Sequence, residues 1–401
     1  MAVNAALQTR SPGTLQGVLL LLPITMAVMG LVVLAPVLPR MQAEFHAVPG
    51  VEYLVPLALT APALCLALLS PVAGYICDFS GRRRSLIVAL VLYAIVGVLP
   101  MFLGSLTAII IARLLLGCIE AVIVTASTTL IGDYFSGRDR EKWLAYQTAL
   151  ASISAVVLFA IGGALGTISW RAPFAVYALS LLVAAALLLW TWEPAAPTST
   201  TQARIETRFP WSTVLPMYAI AVFGGIMFFT LQIQLSYLLT DTFGVQSPGK
   251  IGALIAVGSL SVPLGSFAFR RAARFPVSLQ LLLAFALIGL SFVLMSRAQS
   301  VPELMVWVVV NQFGCGMLLP SMVVWVMGKL QFEIRGRGTG FFMMAWWIGQ
   351  FLCPQVVTLV GKQVGGLSPT LAIFGWLCMG AAVLAMLSLL RGRQAARAEP
   401  S

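Results

Sequence analysis

The chain has 401 residues, of which 60% are hydrophobic and only 9% charged, and a mean hydropathy of +0.98. It therefore lacks the polar surface that keeps a water-soluble domain dispersed. The net charge of +11 invites a nucleic-acid reading, but the basic residues alternate with membrane-length apolar runs and gather on one side of them, which excludes it.

Apolar runs fall at about residues 15–38, 51–73, 85–105, 106–131, 143–167, 171–192, 212–240, 250–269, 276–296, 301–328, 339–361 and 368–390. Each is close to the roughly 20 residues that a helix needs to cross a bilayer. The expected fold is all-α and integral to a membrane, with twelve transmembrane helices. With the N-terminus inside, 18 of the 24 basic residues face the cytoplasm, among them Arg82–Arg84, Arg138, Arg140, Arg270, Arg271, Arg335 and Arg337. Arg40, Arg171, Lys250, Arg297 and Lys362 fall outside, so the positive-inside rule puts both termini in the cytoplasm. Residues 1–14 are short and polar, and no small-residue cleavage site follows the first run, which reads as a retained helix.

The first run carries no acid between Met26 and Ala35. The second ends in Gly74-Tyr-Ile-Cys-Asp78-Phe-Ser-Gly81-Arg82-Arg83-Arg84, a tight basic turn. Its glycines permit the bend. Asp78 suits a helix N-terminus or an arginine partner, and the arginines hold the turn at an anionic membrane face.

In the fourth run, Arg113 and Glu120 are the two charges placed clearly within the hydrocarbon region, where each costs about 3 kcal/mol on insertion scales. Seven residues apart, they share a helix face about 10 Å apart along its axis. That is too far for a direct ion pair but suits two stations on one cavity. Either Glu120 exchanges a proton or binds a cationic group while Arg113 tunes it, or Arg113 bonds backbone carbonyls and ties the N-terminal half together. Asp133 and Asp241 near span ends, and Glu44, Glu52 and Glu303 in or beside outside loops, read as solvated charges.

A polar stretch from Glu193 to Arg208 separates runs six and seven. It divides the chain into an N-terminal six-helix bundle (1–193), a cytoplasmic linker (194–210) and a C-terminal six-helix bundle with a short tail (211–401). The halves echo each other: Gly132-Asp133 then Arg138-Asp-Arg140 after span four recurs as Gly328-Lys329 then Arg335-Gly-Arg337 after span ten. A duplicated six-helix unit explains this. The counterpart of the basic turn, Gly265-Ser-Phe-Ala-Phe-Arg270-Arg271, lacks the acid and the second glycine.

The second half is polar without charge. Gln232, Gln234 and Tyr237 in span seven, Asn311 and Gln312 in span ten, and Gln350 in span eleven hydrogen-bond without ionising. With Met26 and Trp346 they form an expected substrate cavity, the alternative being interhelical bonds and packing. Gln232 and Gln234 point to different sides of a regular helix.

Gly74 to Arg83 resembles the G-x-x-x-D-x-x-G-R-R/K signature of the major facilitator superfamily. Arg113-Leu-Leu-Leu-Gly117 is similar to its R-x-x-x-G, and Gly162-Gly163 followed by Trp170-Arg171-Ala-Pro-Phe174 is similar to spans five and six of bacterial drug-efflux members. The segment from Arg335 to Pro354 resembles their span eleven. The resemblance covers essentially the whole chain and implies two pseudo-symmetric bundles in a bacterial inner membrane. It also implies a conformational gate in which Gly74, Asp78, Gly81 and Arg82 meet the start of span eleven near Arg337 in the outward-open state. One departure stands out: where proton antiporters of this group carry Gly-Pro before the paired glycine of span five, this chain has Leu158-Phe159.

The expected function is secondary active transport, with proton-coupled export of a small amphipathic drug or metabolite. The alternative is a facilitator or proton symporter that imports a small metabolite. Its partners would be a small-molecule substrate, protons and membrane lipid, with no nucleic acid, and it would act as a monomer. A nucleotide-binding loop is absent, and the single histidine, His46, sits in an outside loop. No metal or cofactor is expected, and an enzyme lacks its convergent groups.

Overall fold

The computed structural model describes residues 12–194, 209–272, 274–331 and 334–398. Every regular element among them is helical. In lipid no water satisfies a free N–H or C=O, so long apolar runs fold as helices that bond internally.

Among the described residues, twelve helices have the length and hydropathy to cross a membrane. They are α1 (Thr14–Glu44), α2 (Val51–Ser80), α3 (Arg82–Met101), α4 (Leu106–Tyr134), α5 (Gly137–Ile168), α6 (Ala172–Trp190), α7 (Trp211–Thr242), α8 (Pro248–Ala272), α9 (Val277–Met295) and α10 (Val301–Met327), then α11 (Arg335–Val364) and α12 (Leu367–Ala398). The expected twelve spans are all present. The linker expected at 194–210 lies outside the described residues except for its ends.

Several helices depart from regular α geometry, some of them beside a proline, which removes a donor. α1 runs regularly over Thr14–Val32, passes through a 3-10 turn at Ala35–Val37 containing Pro36, and resumes over Leu38–Glu44. α6 opens as a 3-10 turn over Ala172–Leu179. α7 closes in a π turn over Leu238–Thr242.

The packing has an internal repeat. α1 lies on α4 and α5, α2 on α4, and α3 on α4 and α6; in the other half α7 lies on α10 and α11, α8 on α10, and α9 on α10 and α12. Adding six to each helix number turns the first set into the second. The same operation exchanges the two main contacts between bundles, α5 with α8 and α2 with α11.

Small residues set these crossings. A methyl group on Gly117 of α4 would strike the Pro62 backbone of α2, and one on Gly316 of α10 would strike the Val262 carbonyl of α8. Gly162 meets Val33 of α1 as Gly349 meets Val222 of α7. Lipid-embedded helices associate by close backbone packing rather than by hydrophobic exclusion, so these glycines fix the bundles' shape.

The loops carrying Arg82–Arg84 and the start of α11 define a basic face, and the bundles meet toward the opposite, far face. There Gly163 of α5 lies against Gly252 of α8, Thr60 of α2 donates to the Phe351 carbonyl of α11 at 3.5 Å, and Lys362 of α11 pairs with Glu52 of α2 at 2.6 Å. Deeper in, Trp347 packs against the group formed by Leu66, Ala73 and Ala121. At the basic face the end of α2 is uncovered, with Tyr75 71% and Phe79 84% exposed.

Replacing Gly349 by Leu forces α7 and α11 apart, because its neighbours are backbone atoms that cannot rotate away. The expected cost is about 1–3 kcal/mol. Thermal unfolding in detergent should therefore show a lower midpoint for Gly349→Leu, whereas Gly74→Ala, which enters open space, should melt like the parent.

Candidate functional site

Pro62 has no N–H, so the Ala58 carbonyl one turn before it in α2 is left without its intrahelical donor. Arg113 supplies one: its Nε donates to Ala58 O at 2.9 Å. Gly117, one turn along α4, is what lets the α2 backbone come this close. The arginine and glycine of Arg113-x-x-x-Gly117 thus serve a single crossing.

The rest of the guanidinium is also used. Nη1 donates to the Tyr177 hydroxyl of α6 at 2.7 Å. Nη2 donates to the Gly30 carbonyl of α1 and, at 3.4 Å, to Leu59 O. Gly30 sits in the last turns of the helix Thr14–Val32, where carbonyls run out of intrahelical donors. Arg113 is 1% exposed, so one buried cation joins α1, α2, α4 and α6.

Glu120, also buried, lies two turns further along the same helix. Its Oε1 lies 3.1 Å from the Tyr93 hydroxyl of α3, whose single proton is shared between that oxygen and Met26 O of α1. A methyl group on Gly30 would collide with the Glu120 carboxylate, so this α1 glycine makes room for the acid as well as accepting from Arg113. The rings of Tyr93 and Tyr177 lie 5.4 Å apart, which brings the two stations into one network. Arg113 and Glu120 make no ion pair with each other.

The basic turn forms a second cluster. Gly81 has φ +88, a conformation that side-chain-bearing residues rarely adopt. Arg82 bridges Asp78, at 3.1 Å, and Asp133 at the end of α4. The α3 N-terminus is capped by Glu193, whose two carboxylate oxygens accept from the backbone N–H groups of Arg83 and Arg84 at 3.1 and 3.2 Å. An acid there complements the helix dipole. From the sequence Asp78 is the candidate cap and Glu193 falls in the polar stretch, since 110 residues of chain separate it from the turn. Asp133, which reads from the sequence as a solvated charge, is instead held by Arg82.

Arg337 lies over the Phe209 ring at 5.6 Å and makes no ion pair with Asp78 among the described residues. Gly74, the first residue of the signature, faces open space. Of the residues expected to form a gate at the basic face, Asp78 and Arg82 are paired with each other, and among the described residues neither forms an ion pair with Arg337. The far face carries a tie instead, with Lys362 on Glu52 and 4.4 Å above the Tyr53 ring. Glu52 reads from the sequence as a solvated loop charge; its partner arrives from α11, 310 residues away.

The residues expected to line a cavity separate into three groups. Asn311 is fully buried and donates to Ser291 of α9 at 3.0 Å, while Trp346 is buried in an aromatic cluster with Phe228, Phe229 and Phe342. Met26 and Gln234 are buried and Gln232 is half-buried. Gln312 and Gln350 are buried with side-chain oxygens that find no partner among the described residues; the hydroxyl of Tyr237 is likewise buried and unpartnered among them, in a residue whose other atoms line a cavity on the far face. Gln312 precedes Gly316 as Arg113 precedes Gly117, so the second bundle holds a neutral amide where the first holds a cation.

The model of the Major Facilitator Superfamily matches residues 20–296. The chain belongs to this superfamily. Its members are transporters, not enzymes. Multidrug resistance protein 1 of Bacillus subtilis is 29% identical over 174 residues, 43% of this chain and 44% of that protein. Tetracycline resistance protein, class B, of Escherichia coli is 26% identical over 232 residues, 57% of this chain and 54% of that protein. The match thus spans about half the length of these relatives. Among solved structures, a bacterial homologue of the human lysosomal transporter Spinster, inward-facing and unoccupied, superimposes with a TM-score of 0.76 at 16% identity, covering 94% of this chain and 97% of that one. A mutant of the nucleoside transporter NupG gives 0.75 at 14% identity, covering 92% and 99%. These likenesses extend the superfamily fold over both halves of the chain.

Within this superfamily member, Tyr177→Phe leaves one arm of a buried guanidinium without its acceptor. The expected loss is about 1.5–3 kcal/mol of stability, the range for a hydrogen bond to a charged group. It is read as a lower melting midpoint of the purified protein, and a midpoint equal to the parent's would show that the hydroxyl is dispensable.

Proposed function

We propose that this protein is a secondary active transporter that exports a small amphipathic drug or metabolite across the bacterial inner membrane in exchange for protons, by alternating access. The basic face is the cytoplasmic one, and the conformer described above is open toward it. The observation that carries this reading is the asymmetry between the faces: the far face is tied by Lys362 and Glu52, while Asp78 and Arg337 stand apart. Two bundles related by an internal repeat and fastened at one face at a time are what alternating access requires.

Glu120 is the proposed proton site. A carboxylate in the membrane is normally functional, and this one contacts α1 and α3 together, so a change in its charge is felt by both helices. Arg113 is the proposed positioning residue that holds α1, α2 and α6 around it. Gln232, Gln312 and Gln350 are the proposed cargo contacts, because amides without a fixed partner are free to bond a passing solute. The printed names of two relatives, a multidrug and a tetracycline resistance protein, support a drug-like cargo.

The second reading, an importing facilitator or symporter, is favoured by Leu158-Phe159 and by the absence of an acid in α1 between Met26 and Ala35. Vesicles of both orientations, loaded with candidate cargo under an imposed proton gradient, separate the two. Glu120→Gln should abolish gradient-driven flux and spare counterflow, since an amide carries no exchangeable acidic proton. Undiminished driven flux in this variant across a range of pH would remove Glu120 from the coupling.

The two faces should also close in alternation. Thr167 and Gly249 adjoin across the α5–α8 seam, so a Thr167→Cys and Gly249→Cys pair should crosslink in the present conformer. Asp78→Cys with Arg337→Cys should crosslink in the opposite one, and conditions that raise one yield should lower the other. Lys362→Ala should shift the balance toward the second pair, and yields that rise together would contradict alternation.

A further inference from the structure

On the far face a cavity of about 400 Å³ opens at the seam between the bundles. This falls within the size range of small-molecule sites. Its N-terminal wall comes from the end of α1 and includes Pro36, Pro39 and Arg40; its C-terminal wall includes Tyr237 and Asp241 from the end of α7, and Pro248 from the start of α8.

Three features make this a built site. Tyr237 is 7% exposed and lines the cavity, and its hydroxyl is buried behind that wall with no partner among the described residues. A buried polar group without a partner is costly and calls for an explanation. The Asp241 carboxylate lies in the π turn Leu238–Thr242, a local irregularity that often accompanies function. Asp241 and Arg40 form no ion pair with each other or with any other described residue. Arg40 gives one N–H to Gly166 O at 3.0 Å and has donors to spare.

The cavity thus presents an anion from one bundle, a cation from the other and proline walls. We propose that it binds a small zwitterion of the amino-acid type, with its ammonium at Asp241 and its carboxylate at Arg40. Because the two walls belong to different bundles, the site exists only while the far face is closed. A ligand there stabilises that conformer by as much as it prefers it over the other. The site faces away from the basic side, so it senses solutes on the far side of the membrane and slows transport when they accumulate. This last consequence rests on the alternating-access reading; the binding itself does not.

The test uses the purified full-length protein with 4-aminobutyrate as the probe, and butylamine and butyrate as singly charged comparators. Thermal unfolding reports binding without any transport. The zwitterion should raise the melting midpoint in a saturable way, and the comparators should do so at least tenfold less potently. Asp241→Asn and Arg40→Gln should each weaken the response at least tenfold, while Arg40→Lys should retain most of it. The zwitterion should also speed crosslinking of the Thr167→Cys and Gly249→Cys pair several-fold. No midpoint shift in the parent, or equal shifts with the comparators or in the Asp241→Asn variant, overturns the site. A midpoint shift without faster crosslinking overturns its preference for the closed far face. A midpoint shift in a protein that moves no cargo would leave the site standing and sink the transport reading instead.

Discussion

One buried guanidinium organises the N-terminal bundle. Placing Arg113 in the hydrocarbon region costs about 3 kcal/mol on insertion scales, and each hydrogen bond to a charged group returns about 1.5–3 kcal/mol. With acceptors on three other helices, the return outweighs that cost, and each acceptor lost erodes the margin. Two of those acceptors exist because the chain has withdrawn their usual donors: Pro62 frees Ala58 O, and the end of the regular part of α1 frees Gly30 O. Backbone irregularities that would be defects elsewhere are here the ligands of a cation.

The second bundle solves the same geometric problem without the charge. Gly316 and Val262 reproduce the crossing of Gly117 and Pro62, but Gln312 stands where Arg113 would, and its side-chain oxygen is unpartnered among the described residues. The first half is thus locked by ionic hydrogen bonds, and the second offers neutral groups with spare capacity. Within the transport function proposed above, such a division would suit proton handling in one bundle and contact with a neutral or amphipathic solute in the other.

The bundles are joined by few directional contacts. Lys362 and Glu52 form a largely exposed pair, and exposed pairs are individually weak. Weakness suits the proposed alternating access, in which a tie that opened in every cycle could not be deep. Glycine contacts between α5 and α8 supply shape complementarity at the same face without adding bonds that must be broken.

Hydropathy alone determined the twelve helices, since a bilayer leaves an apolar run of about 20 residues no other way to satisfy its backbone. Spacing within a single helix is equally legible: Arg113, Gly117 and Glu120 fall on one stretch of α4, and Gly81 marks the bend, without reference to any tertiary contact. What joins helices distant in sequence is not legible. Nothing in the chain's local pattern pairs Glu193 with the start of α3, Lys362 with Glu52, or the Arg113 side chain with Ala58, Gly30 and Tyr177. Nor does it say that Tyr237 lines a far-face cavity, or that Asn311 spends its amide on Ser291. Periodicity fixes which residues share a helix face. Only packing decides which carbonyl, carboxylate or hydroxyl of another helix arrives opposite them.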